Sequence, residues 1–113
     1  MSKPKIGISV RSLNRDASDI DERISEILSF SPDNIELKCY DQDLIRSGKI
    51  LNERVDQIKK ALKSFDGHLT MHGPLTLNLL DKRENIEFHL NLAIDYVKLG
   101  KSLGVKGIVL HTG

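Results

Sequence analysis

Cysteine, membrane-length apolar runs and surplus charge of either sign are what this sequence has least of. Cys39 is the only cysteine, so no intrachain disulfide can form. The N-terminus lacks the apolar core of a signal peptide, and together these features lead to the expectation of a reducing, cytoplasmic setting. No apolar run approaches the roughly 20 residues that a membrane-spanning helix needs, so no membrane partner is expected. Lys and Arg number 17 against 16 Asp and Glu, a net charge of +1, and no strong positive field exists to gather phosphate backbones or anionic lipid. A Walker loop, a Rossmann glycine fingerprint, a Ser-His-Asp arrangement and a Cys-x-x-Cys pair are all missing, which removes those chemistries. There is no linker, internal repeat or low-complexity stretch to mark a second domain.

What remains is a chain of 113 residues with 39% hydrophobic and 29% charged residues, the composition of one globular domain with one core. "KIGISV", Lys5 to Val10, reads as a first strand, and "NIELKCY" as a second. Between them Ile20, Ile24, Ile27 and Leu28 recur at helical spacing, and Asp19 with Glu22 stands at capping-box spacing. A second helix follows from Val55, Ile58, Ala61, Leu62 and Phe65, with Asn52 as its cap. "HLTMH" reads as the third strand. The pattern predicts a third helix from about Glu84 to Leu103, carrying Ile86, Leu90, Ala93, Ile94 and Val97 on its stripe and ending at Gly104. "KGIVLH" is the fourth strand.

Strict alternation of strands and helices implies a parallel sheet with right-handed crossovers. Residues two apart on a strand share a face. One parity is apolar: Ile6, Ile8 and Val10, Ile35 and Leu37, Leu69 and Met71, Ile108 and Leu110. The other is small or polar: Gly7 and Ser9, Asn34, Glu36 and Lys38, His68, Thr70 and His72, Gly107, Val109 and His111. A doubly wound sheet needs both faces apolar, whereas a (β/α) barrel accepts mixed residues inside and gathers its chemistry at the C-terminal strand ends. The expected fold class is therefore α/β of the TIM-barrel type. A complete barrel takes about 250 residues, so residues 1–113 correspond to a βαβαβαβ half-barrel, the N-terminal half of an eight-stranded one. Its first and last strands would be exposed edges, open to homo-oligomer formation or awaiting further strands.

His72 and His111 fall at the C-terminal ends of neighbouring strands. Strands about 4.8 Å apart allow two neutral imidazoles to reach one divalent ion; equally, the two can be hydrogen-bonded residues lining the interior without a metal. Glu36 is the candidate acid, placed to orient a histidine or a substrate hydroxyl. Lys38 can hold an anionic substrate group, form a Schiff base, or make a salt bridge with Glu36 or Asp41. Asn78, polar among leucines after the third strand, completes the candidate substrate-binding set. His68, deeper on its strand, reads as structural, His89 as a solvated helix residue, Cys39 as a buried inert thiol, and "DKREN" as a solvated first helical turn.

Together, "LTMHGPLTLNLLD", "AIDYVKLGKSLGV", "KGIVLHTG" and the "NIEL" of the second strand resemble the xylose isomerase-like TIM barrels. That superfamily includes the sugar-phosphate isomerases and epimerases and the endonuclease IV proteins (apurinic/apyrimidinic endonuclease family 2). The resemblance implies that His72 and His111 correspond to the histidines after the third and fourth strands. In the endonucleases these would share one zinc with a later glutamate. In the isomerases Mn²⁺, Co²⁺ or Mg²⁺ is held mainly by later residues, and the early histidines line the substrate pocket. The ligand set is incomplete in this chain under either reading. His111-Thr112-Gly113 stands where the endonucleases read His-Pro-Gly, and Leu75 where they carry an aromatic. With the near-neutral charge, these differences favour a metal-dependent isomerase or epimerase acting on a sugar or sugar phosphate, with DNA a partner only under the nuclease alternative.

Overall fold

Alternation of β-branched and polar residues makes the strands, and the computed structural model describes residues 4–14 and 18–111, giving backbone alone for Tyr40 and Asp41. The strands β1 (Gly7–Val10), β2 (Asn34–Lys38), β5 (His68–His72) and β6 (Gly107–Val109) form one parallel sheet in the order β1-β2-β5-β6. Spatial order thus follows chain order. Among the described residues, the outer edges of β1 and β6 are the unpaired ones. Three helices of length, α1 (Ile20–Leu28), α3 (Asn52–Ala61) and α4 (Ile86–Leu103), connect these strands.

Except at Ile6 and Leu110, which are exposed, the apolar parity of the strands faces those helices. Val10, Ile35, Leu37 and Met71 have no exposed surface and form one cluster with Ile20, Ile24, Val55, Ile58, Tyr96, Leu99 and Leu103. The molecule measures 48 × 37 × 22 Å with a radius of gyration of 14.8 Å, against about 13 Å for a compact domain of this size. It is a flat two-layer slab: helices on one face, the polar parity open on the other.

Several local details differ from the sequence expectation. β1 begins at Gly7 because Ile6 is tied to the turn before β2: its N–H donates to Asp33 Oδ2 at 2.8 Å and its carbonyl accepts from the Asp33 N–H at 2.8 Å. Ile6 is consequently 61% exposed. Asp19 occupies the N-cap position of α1 without capping it. Its carboxylate turns back to accept from Ser12 Oγ at 2.7 Å and the Leu13 N–H at 2.9 Å, pinning the β1–α1 loop. Asn52 is the first residue of α3 rather than its cap.

Between β2 and α3 the chain makes a short helix α2 (Cys39–Gln42) and a hairpin of β3 (Ile45–Arg46) and β4 (Lys49–Ile50), which the helical and strand periods do not announce. Elements this short carry too few residues for a period to show. The signal available was Ser47-Gly48, whose φ values of 52° and 74° are those of a tight hairpin turn. Arg54 ties this excursion to α3, its Nη1 donating to the Asp43 carbonyl at 2.8 Å and to Asp43 Oδ2 at 3.2 Å.

The largest correction concerns α4. Leu90, Ile94 and Val97 of the expected stripe are 49%, 50% and 54% exposed, and the helix instead buries His89, Tyr96, Leu99, Gly100 and Leu103. The helix is apolar on two sides, so periodicity alone offers two stripes. Gly100 decides between them: a Cβ there would stand 2.9 Å from Ile108 Cδ1 and Val105 Cγ2, and only the glycine side lets α4 settle on β6. Gly104 ends the helix in the left-handed conformation with φ 74°, as its place in the sequence predicts.

Candidate functional site at the rim of the sheet

The open face is a ladder of polar side chains set by register. Ser9, Glu36, Thr70 and Gly107 lie in one row, and Lys38, His72 and Val109 in the next towards the C-terminal ends. Within the ladder Ser9 Oγ donates to Glu36 Oε1 at 2.9 Å, and Asn34 Nδ2 donates to Thr70 Oγ1 at 3.2 Å. Glu36 and Lys38 are both half-buried. A carboxylate and an ammonium thus occupy successive rows, with Lys38 directly beside His72.

Gly73 brings the rim together. Its N–H donates to the Val109 carbonyl at 2.8 Å, extending the β5–β6 ladder past His72. A Cβ on Gly73 would lie 2.6 Å from Leu110 Cδ2 and 3.0 Å from the Val109 oxygen, so a side chain here would push the end of β6 away. With that close approach, His72 and His111 converge: their Nε2 atoms stand 3.1 Å apart, with ring centroids separated by 4.9 Å and planes at 89°. One Nε2 carries a proton and the other accepts it. Two fully protonated rings would oppose two donors and lose the contact.

His72 and His111 are therefore the pair that the fold brings together, with Lys38 adjacent and Glu36 one row deeper. Asn78 serves its own loop, its Oδ1 accepting from the Leu80 N–H at 3.0 Å. Thr112 and Gly113 of the fourth-strand motif lie outside the described residues, as does the side chain of Asp41 named as a partner for Lys38. His68 is exposed at the start of β5. Cys39 is 1% exposed, and burial pushes its thiol far up from the ordinary range, the inert behaviour expected of it.

His89 reverses its expectation. It is 5% exposed rather than solvated, its Nδ1 accepting from the Asn78 N–H at 3.1 Å and its Nε2 donating to Asp81 Oδ2 at 2.9 Å. The His89 N–H, followed by the Lys82 N–H, holds the Asp81 carboxyl below its ordinary range. The motif "DKREN" is accordingly a 3-10 turn over Arg83–Asn85 whose preceding aspartate is engaged by the helix that follows. An aspartate eight residues before a histidine is the available signal, masked by the second apolar stripe of α4, which would leave His89 on the solvent side.

A divalent metal can be tested against this geometry. Two nitrogens bound to one tetrahedral zinc at 2.0–2.1 Å stand about 3.4 Å apart, close to the separation of the two Nε2 atoms. The donor chemistry fits two positions of such a site. Among the described residues no group of three or more His, Cys, Asp or Glu is arranged to hold a metal, so the pair supplies two ligands only. Comparison with protein-family models, curated proteins and solved structures returns no match. Among the described residues, no helix is long and apolar enough to cross a membrane.

Proposed function

We propose that the open polar face is the substrate side of a metal-dependent isomerase or epimerase acting on a sugar or sugar phosphate, with half of a (β/α) barrel supplying it. The observation that carries this reading is the convergence of His72 Nε2 and His111 Nε2 at 3.1 Å on the C-terminal rim of a parallel sheet. These two nitrogens would hold a divalent ion such as Zn²⁺, Mn²⁺, Co²⁺ or Mg²⁺, the remaining positions being taken by groups beyond this pair. The ion would supply Lewis-acid polarisation of a substrate hydroxyl or carbonyl. Lys38, beside His72, suits the anionic group of a sugar phosphate. Glu36, fixed through Ser9, suits a proton acceptor or an anchor for a substrate hydroxyl.

Equilibrium dialysis against Zn²⁺ and Mn²⁺ tests this reading. The wild-type chain is expected to take up close to one ion, and a His72→Ala/His111→Ala variant to bind it at least about 100-fold more weakly. Equal uptake by both would overturn the metal assignment. Tighter binding of an aldose phosphate than of the free sugar, lost in Lys38→Ala, would support the phosphate assignment.

One feature favours a second reading. Ligation of a single zinc by both early histidines is what the family resemblance implies for the endonuclease IV-like proteins. Cleavage of DNA at an abasic site would replace the isomerase reading, although a net charge of +1 gives the phosphate backbone little to bind. The unpaired edges of β1 and β6 further support association with a second copy or with further strands, which the mass in solution distinguishes.

A further inference from the structure

Between the β3–β4 hairpin and α4 lies an open cavity of about 440 Å³, whose apolar walls include Ile45, Phe88, Leu92 and Tyr96. Asp95 also lines it. The carboxylate is aimed at the hairpin turn, its Oδ2 lying 3.9 Å from where a Cβ on Gly48 would stand. Asp95 is half-buried and, among the described residues, makes no ion pair or hydrogen bond. Its oxygens still meet water, and their capacity for a charge-assisted hydrogen bond is open to a cation that enters the cavity.

The two basic residues of the hairpin do not fill the role. Ile45 pairs with Ile50 and Arg46 with Lys49, so strand alternation sets the two basic residues on the opposite side of the hairpin from Ile45. Arg46 is in addition paired with Asp43. Phe88 stands at the cavity with 62% of its surface exposed, offering a ring face of the kind that attracts organic cations. Burial pushes the Tyr96 phenol up to about 12, so this wall stays neutral at physiological pH.

We propose that this cavity binds a small organic cation with an apolar body, an amine or guanidinium whose charge meets Asp95 and whose carbon skeleton lies against Phe88, Leu92 and Tyr96. An anion is disfavoured by the same carboxylate, and a hard metal ion finds a single carboxylate here, the other side-chain oxygens being the neutral ones of Ser47, Asn91 and Tyr96, in a wall that is mostly apolar. The site is separate from the His72–His111 rim and does not depend on what that rim does.

The test is a titration followed by amide NMR on the full chain, with benzylammonium, its neutral counterpart benzyl alcohol, and the capped peptide acetyl-Gly-Arg-Gly-amide. Saturable shifts at Phe88, Asn91 and Asp95 are expected with the cations. Binding should weaken about tenfold in Asp95→Asn, the loss of one charge-assisted contact, and roughly two- to fivefold in Phe88→Ala. Both positions are accessible to solvent, and an otherwise unchanged spectrum verifies the fold of each variant. Stronger binding of the amine assigns the site to a free small molecule, and stronger binding of the peptide assigns it to a basic side chain of another protein. Absence of shifts with either cation, equal binding of benzyl alcohol, or unchanged affinity in Asp95→Asn would overturn the proposal.

Discussion

The two faces of the sheet are written in alternate residues of the same strands, yet one is a sealed core and the other a row of chemical groups. On the helix side Val10, Ile35, Leu37 and Met71 are wholly buried. On the open side Ser9 bonds to Glu36, Asn34 to Thr70 and His72 to His111. The difference teaches where the chain invests in stability and where in recognition: packing density on one side, unspent hydrogen-bonding capacity on the other. His89 belongs with the first side in spite of its chemistry, because both of its ring nitrogens are consumed by its own loop. His72 and His111 belong with the second, because each spends its nitrogen on the other.

Substitutions should separate the faces by size of effect. Met71→Ala removes a side chain with no exposed surface and is expected to cost about 2–5 kcal/mol in urea denaturation. A loss under about 1 kcal/mol would mean that the helix layer is not packed on β5 as described. His89→Ala strips partners from the Asn78 N–H and from Asp81, and should cost about 1–3 kcal/mol while leaving metal uptake at the rim intact. If that variant lost metal and kept its stability, the assignment of the two histidine sites would be reversed.

A smaller effect comes from acid. The Leu13 N–H and then the Ser12 hydroxyl hold Asp19 below its ordinary value of 3.8, and Arg46 does the same for Asp43. A depressed carboxyl contributes stability that is complete above its unfolded value and lost as pH falls through the folded one. The thermal midpoint should therefore drop as pH is lowered below about 4, and Asp19→Asn should flatten that slope at a cost of about 1 kcal/mol at neutral pH. An unchanged slope would detach the β1–α1 loop from the acid response. Smallest of all, His72→Ala and Glu36→Gln on the open face should change stability by no more than about 0.5 kcal/mol.

Much of this was legible in the chain. Strand parity separates the two faces, and the placement of His72 and His111 at the same end follows from counting along β5 and β6. The convergence of their nitrogens was not legible, because it depends on Gly73 admitting Leu110 and the Val109 carbonyl at close range. The buried side of α4 is hidden for a related reason. Leu90, Ile94 and Val97 make as good a stripe as Tyr96, Leu99 and Leu103, and the choice lies in the space above Gly100 rather than in hydropathy. The Ser47-Gly48 turn was present in the letters, but its two-residue strands are too short for any period to reveal.

The most direct test of the central claim is ¹⁵N NMR of the imidazole nitrogens during a zinc titration at neutral pH. The Nε2 signals of His72 and His111 are expected to move together and saturate near one equivalent, with those of His89 unchanged. Independent movement of the two, no movement, or a response centred on His89 would contradict it.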